Sequence, residues 1–298
     1  MVADVLTPGS TYALGSAVVW GGFLFYFKRH FDDYPPTVAL VLTSTFGVVC
    51  YLPVVAVTLW AGAPFVPSLF GGTEVVITAV TILLFTLSLL CFYHAISTGS
   101  VSLVTPISKI HPVFVVPMEL LLLGTRVSTV QVFGIVLATV AVYLANYSGD
   151  GLSVPIRKLA SSRPAQLGLL SAALMALVNV SQRALLHDLA LTPQVWVVVK
   201  NGGVALLLAP LAARQWSVDV RGNLATFVVA GLFIAAGEHL VALAYASVPA
   251  SIAAPLVSLQ AIVAVVLAGV LLNEDDFLVR LTAALVAILG IAFVTLPQ

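Results

Sequence analysis

The chain has 298 residues, 61% of them hydrophobic and only 8% charged, with a formal net charge of zero and a mean hydropathy of +1.13. A soluble domain carries roughly 25% charged residues, so this sequence lacks the polar side chains needed to cover a water-facing surface. The neutral balance also excludes a basic nucleic-acid-binding face and a long charged tail, and the reading is an integral membrane protein.

A helix that crosses the hydrocarbon needs about 20 apolar residues, and breaks at Gly, Pro and charge divide the chain into ten such spans. The first, residues 11–27, follows "MVADVLTPGS", which lacks the basic start of a cleavable signal, so it is expected to stay as a membrane helix. Spans at 37–60, 74–97, 101–123 and 129–147 come next. After a polar stretch with Arg157, Lys158 and Arg163 follow spans at 165–186, 195–213, 224–247, 251–272 and 277–296. Barrel strands would alternate apolar and polar residues in runs of about ten, and these segments do not. Cys50 and Cys91 fall inside spans and are expected as buried thiols.

The two groups of five spans are related. "HAISTGSVSLVTPISKIHPVFVVPMELLLLGT" aligns without gaps on "LAYASVPASIAAPLVSLQAIVAVVLAGVLLNE" at an offset of 149, placing Ser102 on Ser251, Pro106 on Pro255, Lys109 on Ser258 and His111 on Gln260. Matching Ser and Pro positions after a short connection indicate duplication. The expected units are residues 1–148 and 165–298, joined by a polar loop at 149–164. Five crossings leave a unit on the far side of the membrane, so its copy must enter upside down. The expected fold class is an all-α membrane protein of ten transmembrane helices in two five-helix inverted repeats, with a cavity near the midplane between them.

Ionisable residues inside spans mark that cavity, because a charge at the centre of a spanning helix costs roughly 2.5–3.5 kcal/mol by insertion scales. Lys109, Glu119, Lys200 and Glu238 lie within spans, as do His94, His111 and His239. Ser102, Pro106 and Lys109 share a stripe at i, i+4, i+7, and Pro106, Pro112 and Pro255 free carbonyls that only protein or cavity water satisfies. The fourth and ninth spans are therefore expected to bend and face each other, with Lys109 pointing into the hollow.

Trp196 and Lys200 share a face of the seventh span, followed by Asn201 and the close-packing or hinge pair Gly202–Gly203. On the eighth span Glu238, Ala242 and Tyr245 share a face from which His239 is rotated by about 100°. Glu238 is the candidate proton-titrating carboxylate, and a structural ion pair with Lys200 or Lys109 is its alternative. Glu119, one turn from a helix end, reads as a solvated or structural residue. His94 and His111 read as cavity-wall or packing residues. Asn179 and Gln182 contact a substrate or bridge helices.

"VVWGG" in the first span, the proline-bearing fourth span with its ninth-span copy, and "LNE" at Leu272–Glu274 together resemble the EamA-like branch of the drug/metabolite transporter superfamily, over the whole chain. The first repeat has Gly124-Thr125 where the second has Asn273-Glu274. The resemblance implies that Trp20 is a cavity-lining aromatic and that both termini are cytoplasmic. The loop charges point the other way. Lys28, Arg29, Arg157, Lys158, Arg163, Arg214, Arg221 and Arg280 lie on one side, against Arg126 and Arg183 on the other, which puts the amino terminus outside. Both orientations stay open.

The functional expectation is a secondary transporter, an exporter or exchanger, moving a small polar or amphipathic metabolite by alternating access at the cell membrane, as a monomer or homodimer. Its cavity is expected between spans 1, 3, 4, 6, 7, 8 and 9, with Trp20, His94, Lys109, His111, Asn179, Trp196, Lys200, Tyr245, Ser258 and Gln260 along the pathway. Lys109 and Lys200 favour a carboxylate or phosphate on the substrate, and Glu238 exchanges protons. The alternatives are passive facilitation or exchange of an organic anion without a proton, and a non-transporting protein such as a lipid scramblase. No phosphate-cradling loop, zinc spacing or nucleophile elbow occurs, so no cofactor, metal or enzyme activity is expected. "NYS" at Asn146 fits a glycosylation acceptor.

Overall fold

The computed structural model describes residues 7–31, 33–62, 71–98, 104, 107–125, 127–145, 162–216, 220, 222–272, 282, 285, 286, 289, 290, 293 and 294. Helices account for nearly all of them, and no strand occurs among the described residues. In chain order these are α1 (Pro8–His30), α2 (Pro36–Trp60), α3 (Gly72–Thr98), α4 (His111–Leu123), α5 (Thr129–Ala145), α6 (Arg163–Arg183), α7 (Pro193–Arg214), α8 (Leu224–Ser247), α9 (Ala250–Ser258) and α10 (Gln260–Leu272). A π-helical turn at Ala184–Asp188 extends α6. Residues 282, 285, 286, 289, 290, 293 and 294 of the tenth expected span are helical. Five of the described helices are long and apolar enough to cross a membrane, and three further apolar helices are shorter.

Local chemistry sets the starts. Proline sits in the first turn of α1, α2, α4, α6 and α7, where its missing N–H has no intrahelical partner to lose. Thr7 caps α1 by accepting from the Ser10 N–H at 3.3 Å. Leu121, Leu206 and Val57 are more than 60% exposed, as side chains turned toward lipid would be. Cys50 and Cys91 are free thiols of intermediate exposure, rather than buried, and Cys50 Sγ lies 3.7 Å from the Val228 carbonyl of α8.

The fourth and ninth spans are both interrupted. A turn at Lys109–Ile110 precedes α4, and Leu259 separates α9 from α10. Helix resumes at His111 and at Gln260, which differ by the same 149 positions that align the sequences. Pro112 lies at the start of α4, not within a bend, and Pro255 lies inside α9. Pro106 lies outside the described residues, as do Ser102, Asn146, Asn273 and Glu274.

Packing between the halves is reciprocal. The most extensive contacts are α1 with α8 and α3 with α6, followed by α2 with α7. Close approaches repeat the pattern. A Cβ on Gly47 of α2 would lie 2.5 Å from Ile234 of α8, and one on Gly203 of α7 would lie 2.8 Å from Ile82 of α3. Gly203 is thus a close-packing glycine, while Gly202 has open space around it. Gly231 of α8 faces the Phe46 carbonyl, which a Cβ would meet at 2.6 Å. Backbone cannot give way as a side-chain tip does, so Gly231→Ala is expected to cost about 1–3 kcal/mol, read as a lowered unfolding midpoint in detergent.

Candidate functional site

A cavity of about 280 Å³ lies between the halves. Its walls take Trp20, Phe23 and Phe27 from the later part of α1, Thr43 and Ser44 from early α2, and Phe85, Ser88 and Tyr93 from α3. Lys109 and His111 come from the break before α4, and Ala254, Ser258 and Gln260 from the break between α9 and α10. The other ends of the same helices are filled. Ala13 and Ala17 of α1, Tyr51 and Val55 of α2, Val195 to Val197 of α7, and Val248 and Ala250 join one apolar core. The hollow thus reaches from the later part of α1 and the early part of α2 to the later parts of α6 and α8, and apolar side chains pack beyond it at the end where α1 starts.

Three polar groups dominate the walls. Lys200 of α7 and Glu238 of α8 form a buried ion pair in which the ammonium donates to both carboxylate oxygens, at 2.9 and 2.7 Å. The Lys200 ammonium also sits 4.4 Å from the centre of the Phe85 ring, a cation–π contact. The pair keeps both charges in the apolar interior by neutralising each with the other. Glu238 thus takes the structural alternative in this conformation, with both oxygens occupied.

His111 links the halves. Ser258 Oγ donates to the Ala254 carbonyl at 2.7 Å and lies 3.3 Å from His111 Nε2. Pro112 has no N–H for the Ser108 carbonyl, and His111 Nδ1 lies 3.4 Å from that oxygen instead. Lys109 differs from both. It lines the cavity, and among the described residues no hydrogen bond or ion pair engages its ammonium. Gln182 of α6 also lines the cavity, and its buried Nε2 has no hydrogen-bond partner among the described residues.

The sequence model of the EamA-like transporter family matches residues 7–147 and 163–296. The chain belongs to that family. A protein of Clostridium kluyveri named "Uncharacterized transporter" is 25% identical over 158 residues, a match spanning 53% of this chain and 50% of that protein. The chain thus spans about half the length of this curated relative. A solved crystal structure superposes with a TM-score of 0.77 at 14% identity, covering 97% of both chains, and so shares the fold. These findings and the apolar helices make it a multi-pass membrane protein of a transporter family.

In this EamA-like family member, Trp20, Lys109, His111, Asn179, Lys200, Glu238, Tyr245, Ser258 and Gln260 all line this cavity. Trp20 lies against Gly237, where a Cβ would meet its Nε1 at 2.9 Å. Two expected pathway residues lie elsewhere. His94 is exposed and outside the cavity lining, near the end of α3. Trp196 is fully buried in the apolar core with Leu185, Val195 and Tyr245, one turn deeper into the packed end than Lys200. A shared helical face sets direction, not depth.

Other expectations need correction. Helix α2 contributes to the wall through Leu40, Thr43 and Ser44. Glu119 is completely buried, not solvated, and Arg183 is 9% exposed, not a loop charge. The α3–α6 seam holds a pair the sequence did not single out. Ser88 Oγ lies 2.9 Å from the Ser171 carbonyl and Ser171 Oγ 2.9 Å from the Ser88 carbonyl. Each span carries a second serine, Ser97 and Ser181, so composition does not single the pair out.

Proposed function

We propose that this protein is a secondary transporter that carries a small amphipathic organic anion across the cell membrane by alternating access. Residues 1–148 and 165–298 would be inverted five-helix repeats around the cavity. The reciprocal contacts of α1 with α8 and α3 with α6 support that symmetry, as do the equal 149-residue spacings of the helix restarts.

One observation carries the substrate class. Lys200 is neutralised by Glu238, whereas Lys109 faces the cavity without a counter-charge among the described residues. A bare ammonium in an apolar surround is costly, and a carboxylate or phosphate entering the hollow would neutralise it. Gln182 Nε2 offers a second donor. Trp20, Phe23, Phe27 and Phe92 supply an apolar wall for the remainder of the molecule, and the volume of about 280 Å³ suits a small metabolite.

The Lys200–Glu238 pair favours a second reading over proton coupling. Glu238 would have to leave two short hydrogen bonds before taking up a proton, so exchange or facilitated passage of the anion without a proton fits the resting geometry. Purified protein in vesicles tests both. Counterflow of small carboxylates and phosphate esters is expected to be saturable and faster than flux of matched neutral compounds. Flux unaffected by an imposed pH gradient and by Glu238→Gln would reject coupling, and no saturable flux of any anion would reject the transport reading.

A further inference from the structure

The described structure joins the halves at two places along one antiparallel helix pair. His111 meets Ser258 at the cavity. Eight residues further along α4, Glu119 meets the start of α9, eight residues before Ser258. There the Ala250 N–H donates to Glu119 Oε1 at 2.6 Å and the Ser251 N–H to Oε2 at 2.8 Å. The carboxylate thus occupies the amino end of a helix on the opposite half, where free N–H groups and the helix dipole favour negative charge.

Charged groups on the elements around it complete the setting. Arg183, at the end of α6, is 9% exposed, and its Nη1 donates to the Tyr245 carbonyl at 2.9 Å. Tyr245 is a cavity wall residue. Glu119 itself is completely buried, so separating α4 from α9 leaves an ionised carboxylate and two helix-start N–H groups to be satisfied anew. This contact lies at the packed end of the bundle, among Val115, Val248 and Ala250.

The equivalent position of the second repeat carries no carboxylate. At the 149-residue offset, Glu119 falls on Ala268, which has no acceptor to offer the fourth span. We infer that Glu119 is a one-sided gate latch: it ties the fourth span to the start of the ninth, holds the packed end of the cavity closed, and must release α9 before that end opens. The inference rests on the transport reading above, and it makes Glu119 a positioning residue that acts through α9 without touching the solute. The carrier at rest is thereby biased toward the conformation described here.

Spin labels at Leu121→Cys and Ser247→Cys, in protein lacking Cys50 and Cys91 and embedded in nanodiscs, would measure the separation of the end of α4 from the junction of α8 with α9. The expected result is one short distance with Glu119 intact. In Glu119→Ala a longer distance should appear, its ratio to the short one raised about tenfold or more, the scale of losing one charge-assisted hydrogen bond. Glu119→Gln, which keeps one acceptor oxygen, should shift the ratio less, and it decides alone if Glu119→Ala does not fold. An unchanged distance distribution with a lowered melting temperature would make Glu119 a helix cap only and overturn the latch. Solute flux by the labelled wild type separates the failures. Normal flux with unmoved distances removes the latch alone, and absent flux removes the transport reading and the latch with it.

Discussion

Lys200→Met is expected to lower stability by about 3–5 kcal/mol, because it strands the Glu238 carboxylate in an apolar interior. Glu238 is 3% exposed, and both described hydrogen bonds to it come from the lysine. Glu238→Met is expected to cost a similar amount from the other side, since Lys200 is 4% exposed and keeps only the Phe85 ring. The double variant Lys200→Met/Glu238→Met removes both charges and should recover most of the loss, because apolar replacement of a buried pair is often neutral or better. Thermal unfolding of all four proteins in one detergent measures the cycle. Additive losses in the double variant would show that the two side chains do not act as a pair.

Lys109→Met should do the reverse. No described partner is orphaned by removing this ammonium, so the empty protein is expected to keep or raise its melting temperature. The effect should fall on the solute. Losing one charge-assisted hydrogen bond costs about 1.5–3 kcal/mol, which is roughly 10- to 150-fold in affinity. Thermal stabilisation by a carboxylate panel reads this directly, since a ligand confined to the folded state raises apparent stability with its concentration over its dissociation constant. Equal stabilisation of wild type and Lys109→Met would remove the lysine from the anion site. Lys109→Arg, which keeps the charge, is expected to retain most of the binding.

The contrast between these lysines marks where sequence reading stops. That both lie inside spans was legible, because an ammonium among Leu, Val and Ala needs a partner or a wet surface. Which of the two has the partner was not. Pairing depends on α7 lying beside α8 with Lys200 level with Glu238, a tertiary fact without a local signature. The 149-residue offset also separates the helix restarts at His111 and Gln260. It also put Ser258 and Gln260 at the cavity as counterparts of Lys109 and His111. Trp196 shows the limit of periodicity, which gives direction from a helix axis but not height along the pathway. Glu119 was left between a solvated and a structural role for a related reason. Its distance from the helix end suggested reach to solvent, while the neighbouring α9 start, 131 residues away in the chain, supplied two donors instead.

The crossed seams between the halves have a consequence for how the protein is made. Helix α1 finds its main neighbour in α8, and α3 in α6, so the first five helices leave the ribosome without the surfaces they pack on. At roughly 5–20 residues per second, the α9 start that receives Glu119 arrives about 7–26 s after the carboxylate. Over that interval the nascent bundle holds a naked acid and a naked ammonium in lipid. Assembly of such a chain favours a waiting site, such as an insertase or chaperone groove that shelters polar side chains until the second half is delivered. A severed amino-terminal half should be a substrate for membrane quality control, not a stable fragment.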